Sequence, residues 1–219
     1  MRRVGFVTIG QSPRVDVVSE MLPILGNIEI VECGALDDLS RDEIELLAPR
    51  ESGYILVSRL RDGSEVKMDR EKILPLVQRC IDRVEREADV VGLLCTGEFP
   101  ELKSSKLLIE PSEILLKVVE ALKVRRLGVV VPNPGQIELT KIKWSKVTEA
   151  VTVVSASPYT EGIEEIRRVS THLRNCDLIV LDCIGYTTDA RRAAVEATGK
   201  PVLLPRTLMA HIIRDLIEG

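Results

Sequence analysis

Aromatic residues are scarce in this chain, which has two phenylalanines, three tyrosines and one tryptophan among 219 residues. The apolar fraction nevertheless reaches 45% and consists mostly of valine, isoleucine and leucine. A chain of this length and composition can bury a substantial core, which excludes general disorder. Aliphatic strands that are buried on both faces are typical of parallel sheets, so we expect an α/β protein.

An excess of basic residues is also missing, because 30 lysines and arginines stand against 34 aspartates and glutamates. Nucleic-acid binding normally needs a basic surface, so we expect no nucleic-acid partner. No apolar run reaches the roughly 18 residues of a membrane-spanning helix, and no membrane partner is predicted. The apolar run after Met1–Arg3 is short and lacks the cleavage site of a signal peptide, which favours a cytoplasmic protein.

A framework of paired cysteines is not visible. The chain has five cysteines: Cys33, Cys80, Cys95, Cys176 and Cys183. Their number is odd and their spacing irregular, so we expect no structural disulfide. We expect Cys33, Cys80 and Cys176 to be buried for packing alone.

Motifs for bound cofactors are absent as well. The sequence contains no Gly-x-Gly-x-x-Gly fingerprint, no Walker loop and no nucleophilic serine elbow. His172 and Cys176 are four residues apart on a predicted helix, but no second pair of ligands accompanies them, so we expect no metal site. The predicted function is therefore independent of cofactors.

Strands and helices alternate in two similar series. The first has strands at 4–9 and 28–32 and a strand that ends at Cys95; the second has strands at 127–131 and 151–155 and a strand that ends at Cys183. Such alternation predicts parallel sheets with right-handed crossovers. Within the second series, Gln136 to Ala150 is predicted as one helix.

The segment 33–69 interrupts the first series. Ser40 and Glu43 form a capping box that opens a short helix, and Asp62-Gly63 predicts the turn of a hairpin. We therefore predict an N-terminal lobe at 1–110 that carries this insertion, a C-terminal lobe at 111–205, and a final helix at 206–219 that returns to the first lobe.

Two strands end in the same pattern. Asp89 and Asp177 each begin an apolar run that reaches a cysteine six residues later, Cys95 or Cys183, and a glycine follows each cysteine at the second position. Ligands bind beyond the carboxyl ends of parallel strands, so we expect both thiols to face one cleft. Nearby backbone N–H groups and helix N-termini predict a lowered thiol pKa.

Two such thiols could act as a base and an acid on opposite faces of one carbon, about 7 Å apart with the substrate between them. A carbanion next to a carboxylate needs hydrogen-bond donors. Ser12 is predicted to be the N-cap, and Pro13 the first residue, of a helix whose N–H groups could bind this anion. The predicted substrate-binding or anion-binding residues are Gln11, Ser12, Arg14, Thr96, Asn133 and Thr187.

The sequence resembles the AroM family over nearly its whole length. The matching segments are 8–14 (TIGQSPR), 39–43 (LSRDE), 110–112 (EPS), 181–185 (LDCIG) and 201–204 (PVLL). More distantly, the duplicated strands that end in cysteine resemble the aspartate/glutamate/hydantoin racemase superfamily.

That second resemblance implies two similar Rossmann-like α/β lobes with parallel sheets and a cleft between them. It also implies cofactor-independent proton transfer by two cysteines, whose positions match Cys95 and Cys183. The residues after the cysteines differ from the Asn-Thr and Thr-His typical of the racemases, since this chain has Thr96-Gly97 and Ile184-Gly185.

Several alternatives stay open. The protein could be an isomerase or a one-cysteine decarboxylase, or it could bind a small anionic metabolite without any chemistry. A Cys95–Cys183 disulfide that senses oxidants is a further alternative, although it would require a much shorter distance between the sulfurs than a substrate does. The hairpin around Asp62-Gly63 could cover the cleft or form a homodimer.

Overall fold

The computed structural model describes residues 2–49 and 53–218. Ten strands occur in this part of the chain: β1 (Arg3–Thr8), β2 (Glu29–Gly34), β3 (Ile55–Arg59), β4 (Glu65–Asp69), β5 (Val90–Leu94), β6 (Leu107–Ile109), β7 (Arg126–Val131), β8 (Ala150–Ser155), β9 (Leu178–Leu181) and β10 (Val202–Leu203). The α-helices are α1 (Val15–Leu25), α2 (Arg41–Glu45), α3 (Arg70–Val84), α4 (Pro111–Ala121), α5 (Ile137–Trp144), α6 (Ile163–Ser170), α7 (Thr188–Thr198) and α8 (Pro205–Ile217).

Two four-stranded parallel sheets have the same strand order. The first runs β2-β1-β5-β6 and the second runs β8-β7-β9-β10. β1 lies between β2 and β5 just as β7 lies between β8 and β9. The α/β class and the two similar lobes predicted from the sequence are confirmed, and the strands that precede Cys95 and Cys183 occupy equivalent positions.

The last helix, α8, packs on the first sheet. Met209, Ala210 and Ile213 share an apolar core with Val4 and Phe6. By contrast, α4 contributes to the core of the second sheet. We therefore keep the division into 1–110, 111–205 and 206–219 as a proposal.

The insertion has the helix and hairpin that its sequence predicts. Ser40 and Glu43 form both hydrogen bonds of the capping box at the start of α2. β3 and β4 pair antiparallel, and Gly63 takes a positive φ of 92° in the turn that joins them, a conformation that favours glycine.

Two helix predictions need correction. Ser12 is not an N-cap and Pro13 is not helical, because α1 begins at Val15 with Arg14 in the cap position. The backbone N–H and hydroxyl of Ser12 instead donate to the Asp37 carboxylate at 2.7 and 2.5 Å, so its side chain is not free to cap α1.

The helix predicted from Gln136 to Ala150 is shorter than expected. A 3-10 turn at Pro134–Gln136 precedes α5, which ends at Trp144. The Thr148 hydroxyl donates to the carbonyl of Val124 at 2.7 Å and fixes the turn that leads into β8.

The expectation of no structural disulfide is wrong. Cys33, in β2, and Cys80, in α3, form a disulfide with their Cα atoms 5.5 Å apart. The two residues are 47 positions apart in sequence and meet because α3 packs across β1 and β2. In the described ranges 2–49 and 53–218, no helix has the length and apolar character needed to cross a membrane.

Candidate active site

A small cavity lies where the carboxyl ends of β5 and β9 meet under the β3–β4 hairpin. Its volume is ≈ 40 Å³, and both Cys95 and Cys183 line it. This space is large enough for only a few water molecules, whereas sites for small ligands usually measure about 300–1,000 Å³. The structure therefore shows a closed site that contains both predicted thiols.

The two thiols have equivalent local surroundings. The N–H of Gly97 donates to Cys95 Sγ at 3.3 Å, and the N–H of Gly185 donates to Cys183 Sγ at 3.4 Å. Both glycines are closely packed, because an added Cβ would lie 2.8 Å from Leu56 Cδ2 at Gly97 and would overlap the Tyr159 ring at Gly185.

Burial in the closed site favours the protonated form of both cysteines. Burial raises the pKa of Cys95 to about 12, although the Gly97 N–H acts in the opposite direction. Burial likewise raises the pKa of Cys183 against the effects of the Gly185 N–H and the Tyr159 hydroxyl. The prediction of lowered thiol pKa values is wrong for this closed form, because desolvation outweighs the backbone hydrogen bonds.

A buried ion pair forms one side of the cavity. Lys143 Nζ lies 3.0 Å from Asp182 Oδ2, and both side chains are at most 5% exposed. Trp144 Nε1 donates to the same carboxylate oxygen at 2.8 Å. Lys143 also donates to the carbonyl of Thr96 at 3.1 Å. The residue after Cys95 and the residue before Cys183 are thus held by one ammonium group.

The β3–β4 hairpin closes the cavity. Ile55 and Leu56 of β3 line it, together with Tyr54 directly before that strand. Gln136, from the other side of the cavity, donates its amide N–H to the carbonyl of Ile55 at 3.1 Å. At the β4 end, the Ser157 hydroxyl donates to the Glu65 carboxylate. The hairpin therefore covers the thiols, as one of the two sequence hypotheses for the insertion proposed.

Comparison with known proteins identifies the family. The sequence model described as "AroM protein" matches residues 4–217. The chain belongs to the AroM family. The resemblance inferred from the sequence motifs is thus confirmed, whereas no curated protein matches the sequence.

Solved structures of similar fold include three enzymes. Arylmalonate decarboxylase has a TM-score of 0.61 at 15% identity, covering 99% of this AroM chain and 92% of its own. Allantoin racemase from Klebsiella pneumoniae has a TM-score of 0.62 at 14% identity, covering 99% and 88%. Aspartate racemase from Picrophilus torridus has a TM-score of 0.64 at 12% identity, covering 99% and 94%. These similarities show that the AroM chain has the racemase-type fold.

Arg14 is not one of the described residues that line the cavity. It is buried, with only 2% of the residue exposed. Its guanidinium donates to Asp16 at 2.9 and 2.8 Å, and also to the hydroxyls of Thr8, Ser58 and Tyr159 at 3.1 to 3.3 Å. The Tyr159 oxygen lies 3.9 Å from Cys183 Sγ. Arg14 thus reaches the site of the AroM chain through Tyr159.

Gln11 and Ser12 hold the first loop together. Gln11 donates to the carbonyl of Leu36 at 3.3 Å and accepts from the N–H of Arg61 at 3.0 Å. Ser12 is bound to Asp37. Neither residue lines the cavity within the part of the chain that the structure describes, and their role in anion binding stays a prediction.

Asn133 and Thr187 have capping roles. Asn133 Oδ1 accepts from the N–H of Gly135 at 2.9 Å, and Thr187 Oγ1 accepts from the N–H of Ala190 at 3.1 Å. Of the predicted binding residues, Thr96 lines the cavity together with the thiols. Binding of an anion by Asn133 or Thr187 stays a prediction.

The sequence reasoning did not select Lys143, Asp182 or Tyr159. Asp182 carried a signal, since it directly precedes Cys183 within a family motif. Lys143 carried none, because α5 has no clear separation of apolar and polar faces. Tyr159 comes from the loop between β8 and α6, whose approach to Cys183 depends on tertiary packing.

Proposed function

We propose that this AroM protein catalyses cofactor-independent proton transfer at the carbon next to the carboxylate of a small substrate. Cys95 and Cys183 are the acid and the base. The observation that supports this most is that both thiols lie in the wall of one cavity. Each also accepts a hydrogen bond from the N–H of the glycine two residues later in the chain. The racemase-type fold agrees with such chemistry.

In the proposed reaction, one sulfur acts as a thiolate and removes a proton from the substrate carbon. The C–H bond breaks as an S–H bond forms, and the electron pair delocalises onto the substrate carboxylate. The opposite thiol then gives its proton to the other face of the carbon and becomes the thiolate. Each sulfur must come within about 3–3.5 Å of the carbon, which places the carbon between Cys95 and Cys183.

Donors for the substrate carboxylate come from the polar part of the cavity wall. Lys143 supplies an ammonium group there, Gln136 an amide and Thr140 a hydroxyl. Preorganised donors stabilise the negative charge that develops when the proton leaves. We place the substrate carboxylate against this side of the cavity.

The closed cavity of ≈ 40 Å³ must enlarge before any substrate enters. Movement of the hairpin would enlarge the cavity, since Tyr54, Ile55 and Leu56 cover it. Opening also brings water to the thiols, which removes part of the desolvation that keeps them protonated. Substrate entry and thiol activation are therefore linked in this proposal.

The test is proton exchange in heavy water, followed by NMR of the α-proton of each member of a panel of amino acids, hydroxy acids and malonates. Loss of one α-proton signal with wild type, and no loss with Cys95→Ser or Cys183→Ser, supports the proposal. Cys176→Ser is the matched control, because Cys176 is another buried free thiol and packs in the core of the second lobe. Full exchange in either active-site variant overturns the two-thiol mechanism.

A binding protein without chemistry is the second candidate, favoured by the closed cavity and the protonated thiols. It predicts a small anion that raises the melting temperature and is recovered unchanged, with no exchange from protein whose active-site thiols are reduced. A one-thiol decarboxylase would instead release carbon dioxide from a malonate, and only one of the two cysteine variants would abolish that release.

A further inference from the structure

Two buried cations lie beside the thiols: Lys143 contacts the residue after Cys95, and Arg14 contacts Tyr159 next to Cys183. We propose that Lys143 is the positioning residue of Cys95 and that Arg14, acting through the Tyr159 hydroxyl, is the positioning residue of Cys183. The two cations thereby control the protonation of the two sulfurs separately. The catalytic meaning of this inference rests on the proposed function, but its test needs no substrate.

Lys143 contacts both thiol-bearing loops, since its ammonium pairs with Asp182 before Cys183 and also reaches the loop after Cys95. Its ammonium donates to the carbonyl of Thr96, the residue next to Cys95. Only 4% of Lys143 is exposed, so water screens its charge weakly. Its positive charge favours the thiolate of Cys95, as the direction of its effect on the pKa of that thiol indicates.

Arg14 lies on the Cys183 side and comes from the other lobe. Its Nη2 donates to the Tyr159 oxygen at 3.2 Å, so the Tyr159 hydroxyl keeps its own proton for another acceptor. Cys183 Sγ lies 3.9 Å from this hydroxyl. Burial raises the pKa of Tyr159, so the tyrosine stays protonated and can donate to a thiolate at Cys183.

Other ionisable groups also act on the two sulfurs. Some of them act on both thiols, and others are bound to different partners. The ionisable groups that interact with Cys95 are Tyr54, Lys143, Asp182 and Cys183. Those that interact with Cys183 are Cys95, Arg14, Tyr159, Asp182, Tyr186 and Arg206. Asp182 opposes ionisation of both thiols and cannot distinguish them.

Arg206 differs from Arg14 in its partners. Its guanidinium donates to the carbonyl of Ile184 at 2.7 and 3.0 Å and to the carbonyl of Asp16 at 2.9 Å. These bonds fix the loop after Cys183 against the start of α1. Arg14, and not Arg206, is the cation that contacts the hydroxyl next to Cys183 Sγ.

The test compares alkylation of the two thiols in the full-length chain. Iodoacetamide labelling is followed from pH 7 to pH 10, and mass spectrometry reads the Cys95 and Cys183 peptides separately. The ratio of the two rates cancels any change in cavity opening that both thiols share. Lys143→Met should slow Cys95 relative to Cys183 by about tenfold, the effect of one pKa unit, and Tyr159→Phe should slow Cys183 relative to Cys95.

Two results would overturn the inference: a ratio that stays at the wild-type value in both variants, or a ratio that moves in the same direction in both. A structural role alone predicts common changes in both thiols, which leave the ratio unchanged. Lys143→Arg keeps the charge and should restore the wild-type ratio. Lys146→Met is the matched control, because Lys146 is an exposed lysine that pairs with Glu98.

Lys143→Met leaves the Asp182 carboxylate buried without its cation, which threatens folding. The comparison of Asp182→Asn with the double variant Lys143→Met/Asp182→Asn removes the unpaired anion; in Asp182→Asn the Lys143 ammonium loses its carboxylate but keeps the Thr96 carbonyl as an acceptor. Cys95 should react more slowly relative to Cys183 in the double variant. An equal ratio in the two proteins contradicts the role of Lys143.

The alkylation result and the exchange result are independent. Opposite shifts in the rate ratio without any proton exchange would retain the two-cation arrangement and reject the proposed catalysis. Exchange that requires both thiols, together with an unchanged ratio, would retain the catalysis and reject the separate roles of Lys143 and Arg14.

Discussion

Thr96 and Asp182 join the two thiol-bearing loops directly, because the Thr96 hydroxyl donates a hydrogen bond of 3.1 Å to the Asp182 carbonyl oxygen. One residue follows Cys95 and the other precedes Cys183. Lys143 contacts the same two residues through the Thr96 carbonyl and the Asp182 carboxylate. The two strand ends are therefore held together by side chains that sit beside the sulfurs.

Thr96→Val should lower the free energy of unfolding by about 1 kcal/mol, since it removes this buried hydrogen bond and keeps the shape of the side chain. Urea unfolding measures the change. Thr96→Ser retains the hydroxyl and should stay closer to wild type in stability. Equal stability of the valine and serine variants would show that the bond between the loops contributes nothing.

Gly185→Ala should destabilise the protein by about 1–3 kcal/mol, because the added Cβ overlaps the buried Tyr159 ring. Thermal unfolding measures the loss. Gly162→Ala is the matched control: no atom lies within 4 Å of the Cβ that it would add. A Gly185→Ala variant as stable as the control would contradict the tight approach of Tyr159 to the loop after Cys183.

Gln136→Ala should open the hairpin more often, because it removes the donor to the Ile55 carbonyl. Loss of about 1 kcal/mol from the closed state corresponds to roughly fivefold faster alkylation of both Cys95 and Cys183. Iodoacetamide labelling at constant pH measures this rate.

Gln78→Ala provides the control for that experiment, since Gln78 also donates to a backbone carbonyl, that of Lys103, at 2.8 Å, and lies outside the cavity wall. Its thiols should react at the wild-type rate. Equal labelling rates in the Gln136 variant and wild type would indicate that reagents reach the thiols by another route.

Glu110 makes stability depend on pH. Burial raises its pKa to about 7, and Glu113 and Glu101 add to the effect. The folded protein therefore binds a proton there more tightly than the unfolded chain, so this contribution is present below about pH 4.5 and is lost as pH rises through about 7. Because the side chain is partly exposed, we expect on the order of 1–2 kcal/mol.

Glu110→Gln should accordingly stabilise the protein at pH 8 and have little effect at pH 4, as urea unfolding at both pH values will show. Glu164→Gln is the control, because Glu164 is an exposed glutamate in the first turn of α6. A stabilisation by Glu110→Gln that is the same at both pH values would exclude titration of Glu110 as its cause.

Local patterns predicted most of the elements. The Ser40 capping box, the Asp62-Gly63 turn and the apolar strands before Cys95 and Cys183 all appear in the structure, because short-range interactions dominate each of them. The repeated Cys-x-Gly pattern also indicated the shared cavity, since equivalent strands place equivalent residues at the same edge.

Long-range contacts were not predictable in the same way. Cys33 meets Cys80 across 47 residues, and Lys143 meets Asp182 across 39. Both pairs depend on how helices pack on sheets, and this packing cannot be predicted from the spacing of residues in the sequence. The thiol pKa direction was missed for the same reason, because the hairpin that buries Cys95 is distant in sequence.

The position of α8 has a consequence for synthesis of the chain. Ile213 and Met209 fill the same apolar core as Phe6, although about 200 residues separate them. On the ribosome, α1 covers only part of this apolar face of the first sheet, and the rest stays uncovered while the entire second sheet emerges. The lobe that starts the chain is completed last, so truncation before α8 should expose this face to chaperones and to aggregation.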